Sequence, residues 1–95
     1  MKKEARSDFS NRLKKNREAL DFLDRKLLTL LNQRLRITLR IGEIKKRIGK
    51  RIYDPKREKE ILERLQRKNK GPLNEEDLKK IFTTIMKVCR QAQSY

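Results

Sequence analysis

The sequence predicts an all-α chain of three helices, one long and two short, that pairs with a second copy of itself. Two observations carry this expectation. From Leu13 to Ile48 the apolar residues recur with a seven-residue period. Two shorter segments follow, each with helical apolar spacing and each opened by a capping signal: Asp54-Pro55, then Asn74. Nowhere does the chain show the period-two alternation of a strand.

The first helix is expected over residues 10–49, after a polar, flexible extension of residues 1–9. One seam position holds Leu13, Leu20, Leu27, Arg34, Ile41 and Ile48, and the alternate one holds Asn16, Leu23, Leu30, Ile37 and Ile44. Arg34 is the misfit. A guanidinium keeps its proton, and taking it out of water is costly unless an anion meets it. An internal carboxylate or an anionic ligand is therefore expected beside it. The neighbouring row, Arg17, Asp24, Leu31, Thr38 and Lys45, lies on the edge of the same face. Arg34 and Lys45 are 45 − 34 = 11 residues apart, or roughly 16 Å along a helix, so both can reach one small ligand. Arg17 is 45 − 17 = 28 residues from Lys45, or roughly 42 Å. It can serve that ligand only from an antiparallel second chain, as in a two-fold dimer with composite sites. A helix this long also outruns the cover that two short helices provide.

Gly42 sits inside the long helix at a cost of about 1 kcal/mol relative to Ala. Either another helix crosses closely there or a ligand needs the room. Gly49 is a typical helix end. The second helix is expected over 55–69, with Ile61, Leu62 and Leu65 on its apolar face. Glu58 shares that face. It either balances Arg34 or another core base, or accepts a hydrogen bond from a ligand hydroxyl. Asn69-Lys70-Gly71-Pro72 breaks the chain. Asn74 and an acidic first turn then open the third helix, 75–93. Its apolar face is Leu78, Ile81, Phe82, Ile85, Met86, Cys89 and Ala92. Gln93 follows Cys89 by four and either points inward or ends the helix in solvent. Cys89 reads as a small buried hydrophobe rather than a nucleophile.

Composition bounds the rest. The 95 residues make one small domain, taken as 10–95, and 43% charged against 35% hydrophobic residues leaves a thin core for a lone globule. No apolar run reaches the roughly 20 residues of a membrane span, and no signal peptide is read at the start. One cysteine fits a reducing, cytoplasmic setting. With no His and one Cys, neither an ordinary zinc site nor a Ser-His or Cys-His nucleophile can be built. A net charge of 28 − 13 = +15 suggests anionic partners. Much of it lies on the outer face of the long helix and reads first as a solvated surface. Nucleic-acid binding is the weaker reading, because stacking aromatics, zinc-finger spacing and a helix-turn-helix are missing.

One set of residues has a familiar order. Leu23-Asp24, Leu27-Leu28, Leu30-Leu31, Arg34, Ile41-Gly42, Lys45, Tyr53-Asp54-Pro55, Arg57-Glu58, Ile81-Phe82, Ile85-Met86 and Gln93 resemble the all-helical (AroQ-type, type II) chorismate mutases. The resemblance runs over residues 11–95, and the order and spacing of its basic and polar residues are its specific part. It implies an entwined helical-bundle homodimer of three-helix chains that converts chorismate to prephenate on the way to phenylalanine and tyrosine. It implies no cofactor or metal, since the rearrangement is pericyclic. By matching position it implies a site of Arg34, Lys45, Asp54, Arg57, Glu58 and Gln93 from one chain, with Arg17 from the second chain. Arg34 and Arg17 would clamp carboxylates, Lys45 and Gln93 would donate to the ether oxygen, and Glu58 would accept from the ring hydroxyl. Arg57 would complete the charge network, and the Asp54 N–H would assist. Cys89 stands where several members carry Ser, so one carboxylate contact would be weaker there. Two alternatives stay open: an isochorismate pyruvate lyase on the same fold, and a non-catalytic basic module that binds nucleic acid.

Overall fold

The computed structural model describes residues 2–93, with side chains from residue 5. Met1, Ser94 and Tyr95, at the extremes of the expected extension and domain, lie outside the described residues. Three helices follow in order: α1 Lys2–Arg47, α2 Pro55–Lys68 and α3 Glu75–Gln93. The expected all-α class is met.

α1 starts eight residues before the expected position near residue 10. The correction has a local cause: no Gly or Pro interrupts the stretch before Ser10, so nothing there stops helix propagation. Arg12 also reaches back one turn, to Asp8 at 4.0 Å and over the Phe9 ring at 5.2 Å. At its other end α1 stops at Arg47, two residues short of the expected 49. Gly49 adopts φ +70°, and the N–H groups of Gly49 and Lys50 donate to the carbonyls of Lys46 and Lys45 at 3.3 and 2.8 Å. This pair of bonds is the Schellman closure that glycine permits at no steric cost.

α2 begins as its capping signal indicates. Asp54 accepts from the Arg57 N–H through Oδ1 at 3.0 Å, and Pro55 takes the first helical position, where a missing N–H costs nothing. The helix ends at Lys68, with Asn69 as its C-cap. Asn69 then organises the break by donating from Nδ2 to the Leu73 carbonyl and accepting from the Gly71 N–H. α3 opens on Asn74, which accepts from the Asp77 N–H at 2.8 Å while its Nδ2 donates to the Asp77 carboxylate at 3.0 Å. This is an N-cap by Asn74 Oδ1, and the side-chain bond to Asp77 holds the capping amide in place.

The chain divides into two compact units, Met1–Arg34 and Leu35–Tyr95. The first unit is α1 alone, and its apolar seam has no cover: Leu13, Leu20, Leu23, Leu27 and Leu30 are between 51% and 59% exposed. The second unit joins the end of α1 to α2 and α3, and it holds the core. Among the described residues, the buried hydrophobic side chains are Leu78, Met86 and Cys89, all from α3. The seam residues Ile37, Ile41, Ile44 and Ile48 stay 42–61% exposed in this unit too. Among the described residues no helix is long and apolar enough to cross a membrane.

Candidate active site

The second unit gathers polar side chains around the junction of its three helices. Gly42, on α1, is buried. A Cβ there would stand 3.0 Å from Cγ and 3.2 Å from Cβ of Gln93. The glycine therefore serves a close helix approach, and the side chain that uses the space is Gln93. Gln93 is 9% exposed, so it is an inward-pointing residue and not a solvated helix end. Its Nε2 donates to the Thr38 carbonyl at 2.6 Å. That bond bridges α3 to α1 one turn before Gly42 and fixes the amide plane. An amide nitrogen carries two N–H groups, so this bond leaves a second donor.

Lys45 lies two turns beyond Thr38 on the same row of α1. It is half-buried, and its Nζ donates to the Ile52 carbonyl at 3.0 Å, across the α1–α2 connection. An ammonium has three donors, and one anchored bond sets its position without using the others. Residue 53 follows directly. The Tyr53 ring lies under the Arg90 guanidinium, at 4.3 Å from Cζ to the ring centroid. Arg90 Nη1 also donates to Glu58 Oε2 at 2.5 Å, with side chains 28% and 23% exposed. Glu58 thus has an internal base as partner, and that base is Arg90 of α3.

Lys45, Glu58, Cys89 and Gln93 all lie in the second unit, on α1, α2 and α3. Asp54 and Arg57 stand at the exposed start of α2, where the carboxylate of the first caps the N–H of the second. Cys89 is 6% exposed and one helical turn before Gln93. Arg34 ends the first unit and is half-buried, while Arg17 lies earlier in that unit and is exposed. The sequence reading passes over Arg90. Its signal was available: Arg90 follows Met86 by four and precedes Gln93 by three, a lone base at the flank of an apolar face.

Chemically, this unit offers a fixed ammonium, a fixed carboxamide and a carboxylate held by a guanidinium. Such a set binds and orients a small polar anion. Known proteins match the same stretch. The family model for chorismate mutase type II matches residues 16–94. The bifunctional chorismate mutase/prephenate dehydratase of Aquifex aeolicus is 40% identical over 81 residues, which are 81% of this chain and 22% of that protein. Its counterpart from Neisseria gonorrhoeae is 39% identical over 74 residues, 78% of this chain and 20% of that protein. The chain thus spans about a fifth of the length of these curated relatives. Among solved structures, a chorismate mutase from Thermus thermophilus (form II) superposes with a TM-score of 0.86 at 35% identity, covering 87% of this chain and 94% of that one. The chorismate mutase of Helicobacter pylori in complex with prephenate gives 0.81 at 41% identity, covering 86% and 89%. The family model and the superposed backbones both cover most of the chain, and the chain belongs to the chorismate mutase type II family.

Proposed function

We propose that this chain is a chorismate mutase that converts chorismate to prephenate as an entwined homodimer. The observation that carries the reading is the pair of anchored donors, Lys45 on the Ile52 carbonyl and Gln93 on the Thr38 carbonyl, within a chain of this family. Catalysis of a rearrangement within one flexible dianion has two requirements. The substrate must be held in the compact shape in which the bond-forming carbons meet. Negative charge growing on the breaking ether oxygen must meet donors already in place. Lys45 and Gln93 take the second task, each with an N–H left over from its backbone anchor. Arg34, and Arg17 of the partner subunit, take the first, because a guanidinium matches a carboxylate two-pronged. Glu58 accepts from the ring hydroxyl, Arg57 completes the positive field, and the N–H end of α2 at Asp54 adds its partial charge. Cys89 offers at most a weak S–H donor to a carboxylate.

The homodimer follows from the energetics of the single chain. The uncovered α1 seam and the thin α3 core leave the isolated chain short of stability, and a self-complementary seam is satisfied by a second copy. A cytoplasmic setting is proposed with it, since the chain has one cysteine and that one is buried. The test is direct. Purified protein is incubated with chorismate and, separately, with isochorismate, and loss of each substrate is followed by absorbance. Prephenate formed from chorismate supports the reading. Pyruvate released from isochorismate with chorismate untouched would replace it with a lyase.

A further inference from the structure

We propose that Arg90 is a positioning residue of this site, which holds Glu58 for the substrate hydroxyl and cancels its charge against a dianionic substrate; the inference rests on the chorismate mutase reading. Three observations support it. Arg90 Nη1 meets Glu58 Oε2 at 2.5 Å, a short charge-assisted contact. The same guanidinium lies on the Tyr53 ring at 4.3 Å, so its plane is held from a second side. Both members of the ion pair are under one-third exposed, where water screens the pair incompletely.

A carboxylate is an awkward group in a site for a dianion. It repels the ligand through its charge even while it accepts a hydrogen bond from it. The outer cations of the chain are poorly placed to correct this, because screening confines an exposed charge to its neighbourhood. A guanidinium in contact removes the problem at its source. Arg90 engages Oε2 and thereby sets the carboxylate plane, which aims Oε1 as the acceptor. Lys45 and Arg57 are then left to attract the ligand instead of balancing Glu58. Tyr53 links the arrangement to the α1–α2 connection, one residue past Ile52, whose carbonyl anchors Lys45. One contact set thereby ties the acceptor of the site to the connection that carries its ammonium anchor.

The experiment is a double-mutant cycle on the full chain with chorismate: wild type, Arg90→Met, Glu58→Gln and the double variant. Met keeps an apolar stem of similar reach without the charge. Arg90→Met is expected to raise KM about tenfold, with kcat within about threefold, as for loss of one charge-assisted partner in a partly screened place. In the Glu58→Gln background, which has no charge to cancel, the same change should leave KM unaltered. Additive effects would overturn the positioning role, as would an Arg90→Met enzyme with wild-type KM. If Arg90→Met loses its helical circular dichroism, Arg90→Lys carries the same cycle, with a smaller KM rise that again vanishes in the Glu58→Gln background. A wild-type chain inert on chorismate would overturn the functional reading and this role with it; an active wild type with an additive cycle overturns this role alone.

Discussion

Gln93 packs over Gly42 with no room for a side chain between them: an added Cβ at residue 42 would stand 3.0 Å from Cγ of Gln93. The glycine lets α3 approach α1 closely enough for Gln93 to donate to the Thr38 carbonyl. A methyl at residue 42 sets two effects against each other. It favours the helix by about 1 kcal/mol and crowds Gln93 by a few tenths of an ångström. Gly42→Ala should therefore change stability by no more than about 1 kcal/mol in either direction, yet lower kcat roughly tenfold, since a small misplacement of a donor is felt strongly in a positioned reaction. Melting temperature and kcat are measured together. Full activity in Gly42→Ala would show that Gln93 does not act from this position.

Lys45→Ala should reduce turnover by roughly a hundredfold or more, the usual effect of removing a donor aimed at developing negative charge. The fold should survive, because a half-buried residue with one backbone bond contributes little packing. Turnover near that of the wild type would remove the ether-oxygen role. Lys45→Met retains the stem and separates loss of charge from loss of packing, should Lys45→Ala unfold.

Arg17 and Arg34 are expected to act in one site from different chains. Arg17→Ala and Arg34→Ala homodimers should each be inactive. Mixed and re-annealed in equal amounts, half of the dimers carry one intact site, so activity should return to about a quarter of wild type. Sedimentation checks that the mixture is dimeric. A re-annealed mixture that stays dead would confine Arg17 to its own chain.

Cys89→Ser separates packing from binding. Cys89 is buried on α3 between Met86 and Gln93. A hydroxyl in place of the thiol is nearly isosteric but more polar, so it should destabilise by about 1 kcal/mol and leave KM unmoved. A lower KM at unchanged melting temperature would instead place residue 89 against a substrate carboxylate.

What the sequence determined by itself was the local and periodic part of this protein. Helix α1 was legible because its seam repeats every seven residues, and α2 and α3 because Asp54 and Asn74 cap helices through N–H groups three residues away. The end of α1 near Gly49 was legible within two residues for the same reason, since one glycine in the left-handed region closes it. Residue order and spacing also carried the family, as matching residues 16–94 to its model shows. The start of α1 was placed too late, because a polar segment without a breaker reads as loose while its helix can still propagate from the seam. The tertiary structure decided which long-range partners meet. Glu58 had several bases open to it in sequence, and only the packing of α2 on α3 chose Arg90, 32 residues on. Gln93 could have ended its helix in water; the close approach at Gly42 turned it inward onto Thr38, 55 residues back. Such pairs depend on side chains from different helices sharing a volume. No spacing along one chain encodes that, because it is the docking of whole faces that sets it.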